Sequence, residues 1–351
     1  MNKILQNSLF YVVVFCVTYF IYVYPFEILN ELIFNEIVNR RVSFYYTIII
    51  SILIIFYFRS YASLKPLRIF IYEGMGIGFI SFWVVTIAYF LSKFSFLDAY
   101  NLGITALFII LLISLISFYY GNKVFSKEIN ISSNKIKENK SFIFISDLHL
   151  GSNSVKHLQK IIKEIKKYKF DFILIGGDLV DSSSINIDSL KHFKEFQCPI
   201  YFVTGNHEYY IKNSKEFLSQ INNYNINYIS NNSINLNDIN LICIDDNMSK
   251  NQQIEITNNH LKQNKYNLLL IHKPAIWLDI REKIDLMLSG HTHNGQIFPF
   301  NYFVRIQFKF KYNLYKFRNS LLYVSSGSGP WGPKMRLGTV NEVILFKLSS
   351  N

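Results

Sequence analysis

The first third of the chain is far more hydrophobic than the rest. Four stretches before residue 122 carry no charged side chain, and each is close to or above the ~17–25 residues that a helix needs to cross a bilayer. They are Ile4 to Phe26, Val42 to Phe58, Gly74 to Ser92 and Ala99 to Asn122. One such stretch could be a buried helix of a soluble domain. Four in series predict a transmembrane helical region of about four spans over residues 1–122.

The lysines and arginines between these stretches predict how the spans are oriented. With four spans, the loop 59–69 and the segment after residue 122 lie on the side of the amino terminus, and both are basic. The opposite side carries Arg40 and Arg41 in one loop and Lys93 in the other. Because basic loops stay in the cytoplasm, we expect a multi-pass protein of the cell (inner) membrane with a cytoplasmic catalytic domain. A signal peptide is the alternative for the first stretch, but no A-x-A cleavage site follows it.

The rest of the chain has the pattern of an α/β domain. Residues 123–140 are polar and charged, and they predict a linker. From 141 to 351, short apolar runs alternate with helical periodicity, for example at Leu158, Ile161 and Ile165. This alternation predicts sheets covered by helices. The strand-like runs are SFIFIS, DFILIGG, IYFVTG, NLICID, NLLLIH, LMLSG, LLYVSS and EVILFKL.

Polar side chains that suit a metal ion follow five of these runs. A single Gly-Asp or Gly-Asn pair can be only a tight turn, and a lone histidine is more often structural. Their joint occurrence favours one shared site, because ligands of α/β folds bind at the carboxyl ends of strands. The candidate metal ligands are Asp147, His149, Asp178, Asn206, His272, His291 and His293.

These residue types suit a pair of divalent cations. Two cations about 3.5–4 Å apart need a bridging carboxylate, for which Asp178 is the candidate. Imidazole and carboxylate ligands are compatible with Mn, Fe or Zn. Such a pair activates a water to hydroxide and offsets charge on a phosphoryl oxygen. His207, beside Asn206, could then donate a proton to the leaving alkoxide. The three cysteines have no ligand spacing, which argues against a cysteine zinc site.

The motifs resemble those of the calcineurin-like metallophosphoesterase family. The family pattern D-x-H, G-D-x-x-D, G-N-H-[DE], a lone His and G-H-x-H is present here as ISDLHLG, GGDLVD, TGNHEYY, LIHKP and GHTHNGQ across 146–296. The resemblance implies a sandwich of two mixed β-sheets flanked by helices, and a contact between His207 and the phosphate. It also implies two ligand sets that share one carboxylate: Asp147, His149, Asp178 and His293; and Asp178, Asn206, His272 and His291.

The final segment SSGSGPWGPKMRLGTVNEVILFKL is similar to the end of bacterial membrane-associated phosphodiesterases of this family. Asn294 stands where glycine is common, and Asn341 stands where proline is usual. We expect both departures to affect loop shape and not activity. Arg336, like Asn206 and His207, is a candidate contact for a substrate phosphate, with an ordinary surface arginine as the alternative for Arg336.

The segment from Phe298 to Phe317 combines seven or more aromatic residues with interleaved lysine and arginine. In QFKFKYN the two kinds alternate at the period of a strand. The simpler interpretation is a half-buried sheet edge. The other is a membrane-interface lid that guides a lipid-borne phosphate to the site.

Together these features predict a membrane-anchored phosphoesterase with two divalent metal ions. It would hydrolyse a phosphodiester or pyrophosphate, with a lipid or lipid-linked substrate favoured and membrane lipids as partners. The net charge of +12 fits an anionic partner, although a lysine-rich composition also explains it. The alternatives are a nuclease or cyclic-nucleotide phosphodiesterase, and a non-catalytic membrane receptor with a phosphate-binding domain. We expect no stable nucleic-acid partner.

Overall fold

A computed structural model describes residues 3–60, 64–94 and 97–350. The described residues form two compact units. One comprises Met1–Tyr119 with Gly332–Met335, and the other comprises Tyr120–Trp331 with Arg336–Asn351.

The first unit is helical. A π-helical turn at Tyr19–Val23 connects its first two helices, and Asn35 ends the second in a left-handed conformation. Among the residues that the structure describes, four helical stretches are long and apolar enough to cross a membrane, as predicted: Ser8–Phe34, Arg40–Arg59, Lys65–Phe94 and Ala99–Asn122. Large apolar side chains such as Phe90 and Phe108 are exposed on them, which suits lipid as the surrounding solvent. The helices are α1 (Lys3–Thr18), α2 (Tyr24–Phe34), α3 (Arg40–Ser60), α4 (Lys65–Phe94) and α5 (Ala99–Asn122).

The second unit contains two six-stranded mixed sheets, which confirms the predicted fold class. The strand orders are β1-β12-β2-β3-β4-β5 and β10-β11-β9-β8-β7-β6. Strands β2 to β5 run parallel, as do β7, β8, β9 and β11. The strands are β1 (Val124–Ser132), β2 (Lys140–Ile145), β3 (Phe172–Gly176), β4 (Ile200–Val203), β5 (Ile226–Tyr228), β6 (Asn232–Leu236), β7 (Ile239–Ile244), β8 (Tyr266–Ile271), β9 (Leu286–Ser289), β10 (Asn313–Phe317), β11 (Ser320–Val324) and β12 (Asn341–Ser349).

The main core lies between the two sheets. Phe144 and Leu174 of the first sheet and Leu268 and Leu288 of the second are fully buried there. Helices cover the outer faces, so strands such as β3 and β8 are buried on both sides and are apolar throughout. Each large side chain buried in this way contributes about 1.5–3 kcal/mol. The α-helices after residue 122 are α6 (Val155–Ile165), α7 (Ser214–Gln220), α8 (Lys250–Asn259), α9 (Trp277–Ile280) and α10 (Phe300–Gln307).

The predicted linker over 123–140 is wrong for most of its length. Val124–Ser132 forms strand β1, which pairs in parallel with β12 at the edge of the first sheet. Ile129 and Ile131 are buried while the residues between and beside them are exposed. A period of two was therefore present in the sequence, but the polar residues of this edge strand concealed it.

The sheet-edge interpretation of the segment Phe298–Phe317 is confirmed only at its end, where Asn313–Phe317 forms the edge strand β10; QFKFKYN lies almost wholly before that strand. The backbone N–H of Phe308 still bonds to the carbonyl of Val304 at the end of α10, and regular strand pairing begins only at Asn313. Phe308 and Phe310 are half-buried. Five alternating residues were too few to distinguish a strand from the end of a helix.

Candidate metal centre

The predicted site residues follow the carboxyl ends of five strands in two sheets. Strands β2, β3 and β4 are parallel neighbours, and so are β8 and β9, so each set of ends lies at one sheet edge. Two hydrogen bonds join the edges. His272 Nδ1 lies 2.8 Å from the carbonyl oxygen of Gly176, and the backbone N–H of His291 donates to the Asp147 carboxylate at 3.1 Å. The structure therefore brings residues that are 146 positions apart in sequence into one cluster, from Asp147 to His293.

The backbone of this cluster is strained. Five of the seven candidate ligands have positive φ, a conformation that is uncommon for residues other than glycine. Such strain persists where surrounding structure enforces it, and it concentrates at functional sites. The five are Asp147 (φ 53), His149 (φ 48), Asp178 (φ 52), His291 (φ 72) and His293 (φ 47).

Two motif glycines leave room for the carboxylates. A Cβ atom on Gly205 would lie 2.2 Å from Asp178 Oδ1, and one on Gly290 would lie 2.2 Å from Asp147 Oδ2. Any larger residue would displace the carboxylate. The glycines of the G-N-H and G-H-T-H motifs are thus required because a carboxylate approaches the backbone of each one closely.

One group of possible metal ligands consists of Asp147 and His149, which are fully buried, and His293, whose side chain is 12% exposed. The Nε2 atoms of the two imidazoles lie 3.0 Å apart. His293 Nε2 is 3.4 Å from Asp147 Oδ1, and His149 Nε2 is 3.9 Å from it. Three potential ligand atoms therefore converge from strands β2 and β9.

A second group consists of Asp178, His272 and His291. His272 Nε2 lies 3.1 Å from Asp178 Oδ2 and 3.2 Å from His291 Nδ1. The same Asp178 oxygen is 3.8 Å from His149 Nε2 of the first group. Asp178 therefore lies between the groups, where a bridging ligand is needed.

The atoms of the cluster fit a pair of cations. Within the described part of the chain, Asn206 Oδ1 is buried and has no hydrogen-bond partner. A buried polar oxygen of this kind costs free energy unless something pairs with it. Carboxylate, amide and imidazole donors match Mn, Fe or Zn.

The charges of the two groups are strongly coupled. Burial alone would raise the pKa of Asp178, but the neighbouring imidazoles of His272 and His149 outweigh it and hold that pKa well below its usual range. Burial lowers the pKa of His272, yet the charge and hydrogen bond of Asp178 raise it to about 10. The cluster is thus built to hold Asp178 as a carboxylate.

His207 lies beside the two groups. Its ring is edge-on to that of His149, with centroids 4.7 Å apart, and Tyr210 and Trp331 lie 5.4 and 5.6 Å away. Its Nε2 is 3.9 Å from Asp178 Oδ2. The side chain is 16% exposed, so it can meet a molecule that enters from solvent.

Asp181 and Glu208 support the site, although no role was predicted for them from the sequence. Asp181 accepts hydrogen bonds from the backbone and hydroxyl of Ser152, and its Oδ2 lies 3.5 Å from His149 Nδ1. Glu208 is fully buried and accepts three backbone N–H bonds from the loops of the site. They are the acidic residues that end the G-D-x-x-D and G-N-H-E motifs. Their position in these motifs was the signal in the sequence that could have indicated their role.

The position of Arg336 contradicts its predicted contact with a substrate phosphate. Its side chain is fully buried. It donates to the carbonyls of His293 (3.0 Å) and Gly329 (2.9 Å) and to Asn341 Oδ1 (2.9 Å). A guanidinium committed to three protein acceptors cannot bind substrate. Arg336 instead positions the loop of His293.

We expect Arg336→Lys to weaken metal binding, because a lysine cannot reproduce three divergent hydrogen bonds. Residues that orient metal ligands typically contribute 10–100-fold in metal affinity or activity. Titration of purified protein with Mn²⁺ should show a rightward shift of that order, with recovery at excess metal. Arg318→Lys, at an exposed arginine, is the matched control. Identical metal titrations for Arg336→Lys and wild type would contradict this positioning role.

The two departures from the family pattern occupy defined positions. Asn294 is in a left-handed conformation (φ 51), which explains why glycine is common there. The Asn341 amide donates to the carbonyls of Gly121 and Lys123, and its oxygen accepts from Arg336. Neither side chain belongs to the groups of candidate metal ligands.

Comparison with known proteins agrees with this geometry. A family model described as calcineurin-like phosphoesterase matches residues 140–295. A metallophosphoesterase of Helicobacter pylori is 32% identical over 240 residues, which cover 63% of this chain and 63% of that protein's length. A metallophosphoesterase of Aquifex aeolicus is 30% identical over 58% of this chain and 82% of its own length. A Bos taurus transmembrane protein with metallophosphoesterase domain is 28% identical over 57% of this chain and 51% of its own length.

Proposed function

We propose that the chain, which belongs to the calcineurin-like phosphoesterase family, is a membrane-anchored hydrolase of a phosphodiester or pyrophosphate. The observation that carries the proposal is the meeting of two groups of metal-ligating side chains at Asp178. A non-catalytic receptor would need the groups but not the partly exposed His207 beside them.

Two sets of residues would hold the ions, and they share Asp178. One set is Asp147, His149, Asp178 and His293, and the other is Asp178, Asn206, His272 and His291. When bound, a pair of divalent ions lowers the pKa of a shared water and offsets negative charge on a phosphoryl oxygen. The protein's contribution is to fix these ligands on strained backbone at strand ends.

His207 would act on the substrate itself. It lies outside both ligand sets, and its ring is close to His149 and to the partly exposed Trp331. From this position a ring N–H can donate to the oxygen that leaves phosphorus. His207 is therefore the proposed acid of the reaction.

A lipid or lipid-linked substrate is favoured by the membrane region. Four helices in the described part of the chain are long and apolar enough to cross a bilayer, and the Bos taurus relative is described as a transmembrane protein. An enzyme held in a bilayer meets lipid phosphates at high local concentration. The basic loops favour a catalytic unit on the cytoplasmic side of the cell membrane, which protease accessibility in sealed inverted vesicles would test.

The function can be tested on the purified full chain with and without Mn²⁺. The substrates are p-nitrophenyl phosphate, bis-p-nitrophenyl phosphate and a prenyl pyrophosphate in detergent. We expect metal-dependent hydrolysis that prefers the diester or the pyrophosphate. His207→Ala should lower kcat by about 10²–10⁴-fold, and Asn206→Ala should lower both metal content and turnover.

Asn319→Ala, at an exposed asparagine outside the site, is the control variant. Undiminished turnover in both Asn206→Ala and His207→Ala would overturn the mechanism. A cyclic nucleotide and single-stranded DNA complete the substrate panel, and preferred hydrolysis of either would replace the lipid substrate by the nucleotide alternative. Phosphate binding without turnover on any substrate would favour a receptor.

A further inference from the structure

Helix α10 presents a large apolar surface to its surroundings. Tyr302, Phe303 and Ile306 are 59%, 49% and 84% exposed. At 100° per residue, these three side chains lie on one side of the helix. Val304, on the opposite side, is buried against the domain. A surface helix normally turns its apolar side inward, so the outer side of α10 is suited to an apolar neighbour.

The charged side chains of the segment that carries this face all have one sign. From Phe298 to Phe317 the sequence contains no aspartate or glutamate. Arg305 adjoins the apolar face on α10, and Lys309 follows two residues after the helix; both are exposed. Lys316, on β10, is exposed as well. Aromatic and aliphatic side chains flanked by cations are the composition of helices that lie in the interface of anionic bilayers.

The helix adjoins the candidate metal centre. Its backbone packs so closely on the loop of His293 that a Cβ on Gly295 would lie 2.4 Å from the Cα of Asn301. After the helix, the Phe308 ring lies 5.3 Å from the ring of His291. Helix α10 and the residues after it therefore lie beside His291 and the loop of His293, which supply candidate metal ligands.

We propose that α10 docks on the surface of an anionic lipid bilayer. Tyr302, Phe303 and Ile306 enter the boundary between headgroups and acyl chains, while Arg305 and Lys309 pair with lipid phosphates. This inference deepens the proposed function and rests on it in one respect: docking would place lipid-borne phosphoesters beside the metal centre. The docking surface itself does not depend on catalysis.

The experiment measures how close α10 comes to lipid in the full chain. The environment-sensitive fluorophore bimane is attached at Ile306→Cys in a Cys16→Ser, Cys198→Ser background, since Cys243 is buried. The protein is placed in nanodiscs of phosphatidylcholine and phosphatidylglycerol that contain 5-doxyl phosphatidylcholine as quencher. Bimane at Glu255→Cys, on the exposed side of α8, is the matched control.

We expect doxyl lipid to quench bimane at position 306 more strongly than at position 255. The difference should shrink in pure phosphatidylcholine and in the Arg305→Gln, Lys309→Gln variant. A Tyr302→Ser, Phe303→Ser, Ile306→Ser variant should retain hydrolysis of soluble bis-p-nitrophenyl phosphate, because these side chains point away from the site.

Equal quenching at the two positions in anionic nanodiscs would overturn the docking proposal. Protection of position 306 from aqueous iodide without quenching by doxyl lipid would also overturn it, and would show a protein to be the occupant of this face. Either result could occur in a chain that still hydrolyses the soluble diester, which would leave the proposed function intact. Strong lipid quenching in a chain with no hydrolytic activity would instead contradict the proposed function alone.

Discussion

Replacement of Asp178 with alanine is expected to abolish both metal retention and hydrolysis. Its carboxylate lies within 3.1 Å of His272 and 3.8 Å of His149, so both groups of candidate ligands depend on it. Its Oδ1 also accepts the backbone N–H of His207 at 2.9 Å, which fixes the loop of the proposed acid. Because bound metal contributes several kcal/mol to phosphoryl transfer, kcat/KM should fall by about 10³-fold or more.

Metal analysis of the purified variant and hydrolysis of bis-p-nitrophenyl phosphate measure the two effects together. Asp178→Asn is the informative companion, since it keeps the acceptor for the His207 backbone and loses the charge. We expect Asp178→Asn to keep the fold and one amide ligand, but to hold metal weakly. Normal metal content and turnover in Asp178→Ala would exclude Asp178 as the bridge.

The convergence of the candidate ligands could be predicted because it depends on two short-range signals. Apolar runs such as those of β3 and β8 are strands with both faces covered, and the residue type that follows each run is visible in the sequence. The carboxyl ends of parallel neighbours lie at one edge, so Asp147, Asp178 and Asn206 were expected near one another, as were His272 and His291, without knowledge of the loops. Within the described residues, the four helices that are long and apolar enough to cross a membrane were predicted for the same reason, since length and composition suffice.

The features that were missed depend on long-range packing. Strand β1 is recognisable only from its partner β12, which lies more than 200 residues later in the chain. The burial of Arg336 depends on three acceptors, supplied by His293, Gly329 and Asn341. No local pattern distinguishes such an arginine from an exposed one. Glu208 was missed for the same reason. Its carboxylate oxygens accept hydrogen bonds from backbone N–H groups in the loops that follow β3 and β4.

Glu208→Ala is expected to have the largest effect on stability. The Glu208 carboxylate accepts the backbone N–H groups of Asp178 (3.0 Å), Val180 (3.0 Å) and Gly205 (2.7 Å). Burial, together with the nearby Asp178 charge, raises the pKa of Glu208 to about 7. Keeping this carboxylate buried and ionised therefore costs folding free energy. Alanine would leave three buried donors unpaired, at about 1–3 kcal/mol each.

A loss of about 3 kcal/mol would lower the unfolding midpoint of a unit of this size by roughly 6–12 °C. Scanning fluorimetry of the full chain in detergent gives the midpoint, and residual diester hydrolysis after heating confirms that the catalytic unit is the part affected. Glu208→Gln should fall between alanine and wild type, because its amide oxygen can serve two donors while its NH₂ group opposes the third. Glu255→Ala, at an exposed glutamate, controls for loss of charge. A Glu208→Ala midpoint equal to that of the control would mean that the loops of Asp178 and Gly205 are held by their strands alone, and Glu208 would then have no supporting role.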